Sequence, residues 1–130
     1  MFLQSLTSRY LRVVALLLTL CIIFSLFVLG PQPIAVNLVP SPWDKLLHGG
    51  IFALLAWGIG LTSGLHGRPQ LAVAVSGALL AGMLDEWHQM YLPGRNAGWD
   101  DLAADVIGGV IGTALLAISR MKPTELNNGN

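Results

Sequence analysis

The sequence is poor in charge and in cysteine, and each shortage excludes a class of protein. Only 11% of the residues are Asp, Glu, Lys or Arg, whereas soluble domains average about a quarter. The formal net charge is zero, so no basic excess is available to neutralise nucleic-acid phosphates. The single cysteine, Cys21, provides neither a disulfide within one chain nor a thiolate zinc site. We therefore expect no nucleic-acid partner and no cysteine-based framework.

Hydrophobic residues are abundant, at 54% of the chain, and they fall into long apolar segments. A helix needs about 20 mostly apolar residues to cross the hydrocarbon core of a bilayer. The candidate segments are roughly Leu11–Leu29, Leu46–Leu65, Leu71–Met90 and Leu102–Arg120. The first is longer than a signal-peptide core and lacks an Ala-x-Ala-like cleavage site, so we expect it to be retained. The sequence thus predicts an all-α bundle of four transmembrane helices in a lipid bilayer.

Basic residues in the short loops predict the orientation of this bundle. With the N-terminus in the cytoplasm, the inner side holds Arg9, Arg12, Arg68, Arg120 and Lys122, and only Lys45 and Arg95 lie outside. Both termini are then cytoplasmic. We predict a single membrane domain over residues 1–122 and a disordered tail over residues 123–130.

Six of the seven acidic residues fall at or near the outer ends of the predicted spans. They are Asp44, Asp85, Glu86, Asp100, Asp101 and Asp105. Ionisable groups near hydrocarbon are costly, and they usually face the bundle interior, pair with one another and mark a site. In the fourth span, Asp101 and Asp105 share a helical stripe with Gly108 and Gly112. A small-x-x-x-small pair lets helices approach closely, so we expect this stripe to face neighbouring helices.

The other spans aim polar side chains at the same end. Glu86 and Gln89 share a helical face with Gly82, and Asp44 and His48 lie one turn apart. Asp85 precedes Glu86 and points to a different face, and the spacing leaves open which of the two faces inward. We expect Asp100 to be a solvated surface charge. His88 is either an interfacial group or a ligand.

The ordered series of these residues carries a family resemblance. It runs Asp44-Lys45-x-x-His48, Gly82-x-x-x-Glu86-x-x-Gln89, Pro93-Gly94-Arg95, Asp101 and Gly108-x-x-x-Gly112. Over about residues 44–116 this series resembles the VanZ-like family of small bacterial membrane proteins. The chain departs from the family pattern in having Asp105 where asparagine is common and no serine shortly after Arg95. The resemblance implies a multi-pass protein of the bacterial cytoplasmic (inner) membrane, related to the cell envelope or to glycopeptide (teicoplanin) resistance.

Three functions are compatible with the polar cluster. The first is binding of an envelope component, such as a lipid-linked or cell-wall precursor. Its candidate binding residues are Asp44, Lys45, Gln89, Arg95, Asp101 and Asp105. The second is a membrane enzyme acting on such a precursor, with Glu86 or His48 as general acid or base and Asp101 orienting His48 or Arg95. The third is a structural network that fixes the register of the helices.

A metal-assisted variant of the enzyme would use Asp44, His48, Glu86 and Asp101 as ligands. The spacing Asp-x-x-x-His is too common to indicate a metal by itself, so we predict neither a metal nor another cofactor. No Ser or Cys nucleophile motif accompanies the cluster, and we do not expect covalent acyl transfer. Carboxylates left unpaired in an outward-facing cleft would favour a site. Carboxylates each paired with Arg95, Lys45 or His48 would favour the network.

Overall fold

The computed structural model describes residues 2–36, 38–95 and 97–120, with side chains from residue 8 onward. Within these ranges the chain is helical and forms no strand, which confirms the all-α class. The long helices are α1 (Phe2–Phe24), α2 (Trp43–Thr62), α3 (Arg68–Gln89) and α4 (Trp99–Arg120). A π-helical turn, Ser25–Leu29, extends α1, and a short 3-10 turn covers Pro33–Ala35. The predicted tail at residues 123–130 lies outside the described residues, as does Lys122.

Three helical segments are long and apolar enough to cross a membrane: Ser8–Leu29, Trp43–Thr62 and Trp99–Arg120. The predicted third span, α3, has 22 residues and is as long as the longest of these segments, but it is polar at both ends. These ends carry Arg68 and Gln70 on one side and Asp85, Glu86, His88 and Gln89 on the other. Length and hydropathy therefore support three of the four predicted crossings.

Proline and glycine set the limits of the helices where the chain turns. Pro69 occupies the first turn of α3, where its missing N–H would have no intrahelical partner. Between α3 and α4, the N–H of Arg95 donates to the carbonyl of Leu92 at 3.2 Å, and Gly94 has a positive φ of 78°. Proline followed by a left-handed glycine is the sequence of a type II turn. The turn fixes Arg95 at the end of the bundle where α2 and α4 begin.

Helices α2 and α4 run parallel and make the most extensive helix–helix contact in the described chain. Gly108 lies against the backbone of Gly49, and Gly112 lies against the backbone of Ala53. A Cβ added to either α4 glycine would collide with the facing carbonyl group. The glycine stripe is therefore a packing surface within one chain, and it sets the distance between the two helices that carry most of the polar cluster.

We predict that Gly112→Ala destabilises the protein by about 1–3 kcal/mol, as over-packing of a close contact does. The added methyl group would meet backbone atoms of Ala53, which cannot rotate away. The matched control is Gly50→Ala on α2, where a Cβ would have nothing within 4 Å. Thermal unfolding of both variants in detergent measures the difference, and equal melting temperatures would refute the close contact.

Candidate functional site

A single lysine ties the beginning of α2 to the beginning of α4. The Lys45 ammonium forms ion pairs with Asp44 and Asp100, at 3.1 Å each, and it also contacts Oδ1 of Asp101. The Asp100 side chain is 70% exposed, whereas that of Asp101 is 14% exposed. Asp100 thus lies at the surface as expected, although it also takes part in an ion pair. Three carboxylates share one ammonium at this rim.

A second link between α2 and α4 lies one turn deeper. Nδ1 of His48 lies 2.9 Å from Oδ1 of Asp105, and the Asp105 side chain is 1% exposed. Its other oxygen, Oδ2, is buried and has no hydrogen-bond partner within the described part of the chain. The sequence offered Asp101 as the group that orients His48 or Arg95. Instead Asp105 orients His48, because the step of one turn from Lys45 to His48 on α2 is matched by the step from Asp101 to Asp105 on α4.

Helix α3 contributes two buried carboxylates that point to different places. Asp85 is 1% exposed, lines the central cavity and accepts a hydrogen bond from Nε2 of Gln89 at 2.8 Å. Glu86 accepts a hydrogen bond from the backbone N–H of Gly98 at 2.9 Å, and its Oε1 is buried without a hydrogen-bond partner among the described residues. Asp85 is therefore the carboxylate that reaches the cavity, and Glu86 closes the end of α3 against the loop before α4. Asp85 lies three residues after Gly82 and four residues before Gln89, and this helical spacing is the signal that could have identified it.

Arg95 is a cation without an acidic partner among the residues that the structure describes. Its Nη2 donates to the carbonyl of Gly30 at 2.6 Å, and its Nε is buried with no hydrogen-bond partner in the same part of the chain. Among residues 8–36, 38–95 and 97–120, no carboxylate lies within 4 Å of the guanidinium group. The guanidinium thus links the α3–α4 turn to the end of the α1 segment, and it lines the cavity.

These groups surround a cavity of about 630 Å³. Part of the lining is apolar and includes Ile22, Leu26, Val36, Leu38 and Ile51. The polar part of the lining consists of Asp44, Lys45, His48, Asp85, Gln89, Arg95, Asp100 and Asp101. Asp105 and Glu86 do not line the cavity, but Asp105 contacts His48, which does. His88 faces a separate small apolar groove beside Phe27, Trp87 and Tyr91, so it is not a member of the polar cluster.

Sequence comparison places the chain in a known protein family. A family model described as VanZ/LLP1 matches residues 12–120. The chain belongs to the VanZ/LLP1 family. The match confirms the resemblance carried by the motifs and widens it from about residues 44–116 to include α1 from residue 12 onward and the end of α4. No curated protein and no solved structure gives a match to the chain.

In this VanZ/LLP1 protein the carboxylates divide into two groups. Asp44, Asp100, Asp101 and Asp105 lie beside Lys45 or His48. Within the described chain, Asp85 and Glu86 have no basic group within 4 Å. The α2–α4 pairs are thus the kind of network that fixes helix register. The α3 carboxylates Asp85 and Glu86, together with Arg95, form no ion pair with this network in the described chain.

We predict that Lys45→Met destabilises the protein by about 1–3 kcal/mol, the range of coupling within a charge network. Removal of the ammonium leaves Asp44, Asp100 and Asp101 facing one another without a counter-charge. Because part of the loss comes from that repulsion, Lys45→Met combined with Asp101→Asn should recover stability relative to Lys45→Met alone. Arg120→Met, at the far end of α4, is the control. Unfolding in detergent at low and high salt measures the change in stability of each variant. If the change in the double variant equals the sum of the changes in Lys45→Met and Asp101→Asn, the coupling is refuted.

Proposed function

We propose that this protein spans the membrane four times and binds the anionic headgroup of a lipid-linked or cell-wall precursor in the cavity on the extracytoplasmic side. Binding such a component is the route by which a role in the cell envelope or in teicoplanin resistance would arise. The bacterial cytoplasmic membrane, with both termini in the cytoplasm, is the proposed location.

The packing of α3 supports the fourth crossing. At one end, Nε2 of Gln70 donates to the carbonyl of Gly60, near the end of α2, at 3.0 Å. At the other end, Asp85 lines the same cavity as His48, near the beginning of α2. The α3 helix therefore runs antiparallel to α2 along nearly its whole length. A helix packed in this way passes through the same depth of bilayer as its neighbour.

The single observation that carries the binding proposal is Arg95. A guanidinium group with no carboxylate beside it, on the wall of a cavity, is suited to bind a phosphate or carboxylate through two parallel hydrogen bonds. Lys45, the other predicted anion-binding cation, is already surrounded by three carboxylates. The apolar part of the cavity lining suits the hydrocarbon part of the same ligand, because such sites combine apolar surface with a few placed polar groups.

An enzymatic role is the second candidate, and the His48–Asp105 pair favours it. A buried carboxylate bonded to Nδ1 fixes the orientation of the imidazole, which leaves Nε2 as the atom that exchanges a proton with a ligand. His48 lines the cavity, so a bound headgroup would lie next to the ring. In this version His48 is the general base. Glu86, bonded to the backbone of Gly98, holds the loop.

Cysteine labelling tests the topology. In a Cys21→Ala background, a membrane-impermeant maleimide added to intact cells should label Ile34→Cys and Tyr91→Cys, because both positions lie at the outer end of the proposed bundle. His66→Cys, in the turn between α2 and α3, should react only after permeabilisation. Labelling of Tyr91→Cys with the His66→Cys pattern would mean that α3 does not cross the membrane.

Binding of a polyprenyl phosphate to the purified protein tests the role of Arg95. We expect the phosphate to bind more tightly than the neutral polyprenol, and we expect Arg95→Gln to weaken it by on the order of tenfold to a hundredfold, as loss of a charge-assisted contact does. Arg95→Lys should keep part of the affinity, because the charge remains. Arg68→Gln, at the other end of α3, is the matched control.

Thermal unfolding of each variant separates binding from folding, since Arg95 also contacts Gly30. Equal affinity of the phosphate and the alcohol for a folded wild-type protein would contradict the proposal. The same conclusion would follow if Arg95→Gln bound the phosphate as well as Arg68→Gln does.

A further inference from the structure

We propose that His48, Asp85 and Asp105 hold a divalent transition-metal ion at the base of the cavity. Each residue offers one ligand atom, and these three atoms all lie within 4.8 Å of one another. They come from three helices: α2, α3 and α4. This set differs from the one that the sequence suggested, because Asp85 and Asp105 replace Asp44, Glu86 and Asp101. It also departs from our expectation, from the sequence, that no metal is bound.

An orphaned oxygen points to a missing partner in this cluster. Oδ2 of Asp105 is buried and accepts no hydrogen bond from any described residue, although Asp105 is only 2% exposed. A buried carboxylate oxygen without a partner carries an uncompensated desolvation cost. A metal ion between α3 and α4 would supply the missing interaction.

Gly82 keeps the space beside this oxygen open. A Cβ at Gly82 would lie 3.3 Å from Oδ2 of Asp105 and 3.4 Å from the ring of Phe52. Asp85 follows three residues later on the same helix, so its side chain lies on the same face as Gly82. The absence of a side chain at Gly82 therefore lets α3 bring Asp85 near the Asp105 carboxylate.

The charge around the cavity favours a cation. Its lining carries four carboxylates and only two permanent cations, Lys45 and Arg95, and Asp105 adds a fifth carboxylate behind His48. Lys45 lies against the rim carboxylates, whereas Asp85 has no basic group within 4 Å in the described chain. A divalent ion bound by Asp85 and Asp105 would offset these two buried negative charges.

The donor set indicates which ions fit. Two carboxylates and one imidazole form a mixed oxygen and nitrogen site without thiolate, which suits Mn²⁺, Fe²⁺ or Zn²⁺. Mg²⁺ and Ca²⁺ prefer sites in which all the ligands are oxygen atoms. Three protein ligands also leave coordination positions open. This last step rests on the proposed function: an oxygen of the bound headgroup would complete the coordination, with Arg95 on a second oxygen.

Direct metal titration of the full chain in detergent, without any lipid ligand, tests the ion site. After chelator treatment, Mn²⁺ is added and the loss of the free-ion electron paramagnetic resonance signal reports binding. We expect one ion per chain, displacement by Zn²⁺ and little competition from Mg²⁺. Asp85→Asn and Asp105→Asn should each weaken Mn²⁺ binding by more than about tenfold, since even outer-shell changes at metal sites cost that much.

The matched control is Asp100→Asn, which removes an acidic residue on α4 that lies outside the three-residue cluster. It should leave Mn²⁺ binding unchanged. Thermal unfolding identifies any variant that fails to fold, and His48→Gln then replaces it in the comparison. Non-saturable binding, or equal losses in Asp85→Asn and Asp100→Asn, would overturn the ion site. Because no polyprenyl phosphate is present, failure here leaves the Arg95 experiment to decide headgroup binding on its own.

Discussion

The structure depends on one constraint, which is the backbone contact between α2 and α4. Gly108 and Gly112 have no side chain to keep the helices apart, and they rest on the backbone of Gly49 and Ala53. In a bilayer, where lipid tails are as apolar as the helix surfaces, such close packing is a principal source of helix association. The Lys45–Asp101 and His48–Asp105 contacts lie on the extension of this line of contact towards the start of both helices.

Parallel running of α2 and α4 explains why the ionic contacts form a ladder. A step of one turn on α2 leads from Lys45 to His48, and a step of one turn on α4 leads from Asp101 to Asp105. The rim contact is partly exposed and shared among several carboxylates, so solvent and salt weaken it. The deeper contact is nearly dry and involves a single carboxylate. The shallow Lys45 contact and the deeper His48–Asp105 contact therefore differ in what they leave unsatisfied. Only the deeper one leaves a buried oxygen, Oδ2 of Asp105, without a hydrogen-bond partner among the described residues.

The sequence predicted the parts of this arrangement that follow from helical periodicity. Apolar length gave the helices, the glycine stripe gave the α4 contact face, and the ordered motifs gave the family that the match over residues 12–120 confirms. Pairing between helices was harder to predict, because it depends on the relative register of α2 and α4. Asp101 and Asp105 lie on the same stripe, and only the contact of Gly108 with Gly49 decides which of them meets His48. The sequence left open which of Asp85 and Glu86 faces inward for a similar reason, since the rotation of α3 is set by its neighbours.

Helix α3 differs from the other helices in what its polar groups do. The carboxylates of α2 and α4 lie beside cations from the same pair of helices, so the contact between these helices accounts for them. Asp85 and Glu86 are buried, as Asp105 is, yet their hydrogen bonds come from neutral donors, the Gln89 amide and the Gly98 backbone. Placing an ionisable group near hydrocarbon without a counter-charge beside it is costly. A cation bound in the adjacent cavity, as we propose, would offset that cost for Asp85, which lines the cavity. Asp105 would then serve two purposes, because it orients His48 in the α2–α4 contact and also belongs to the ion site that we propose.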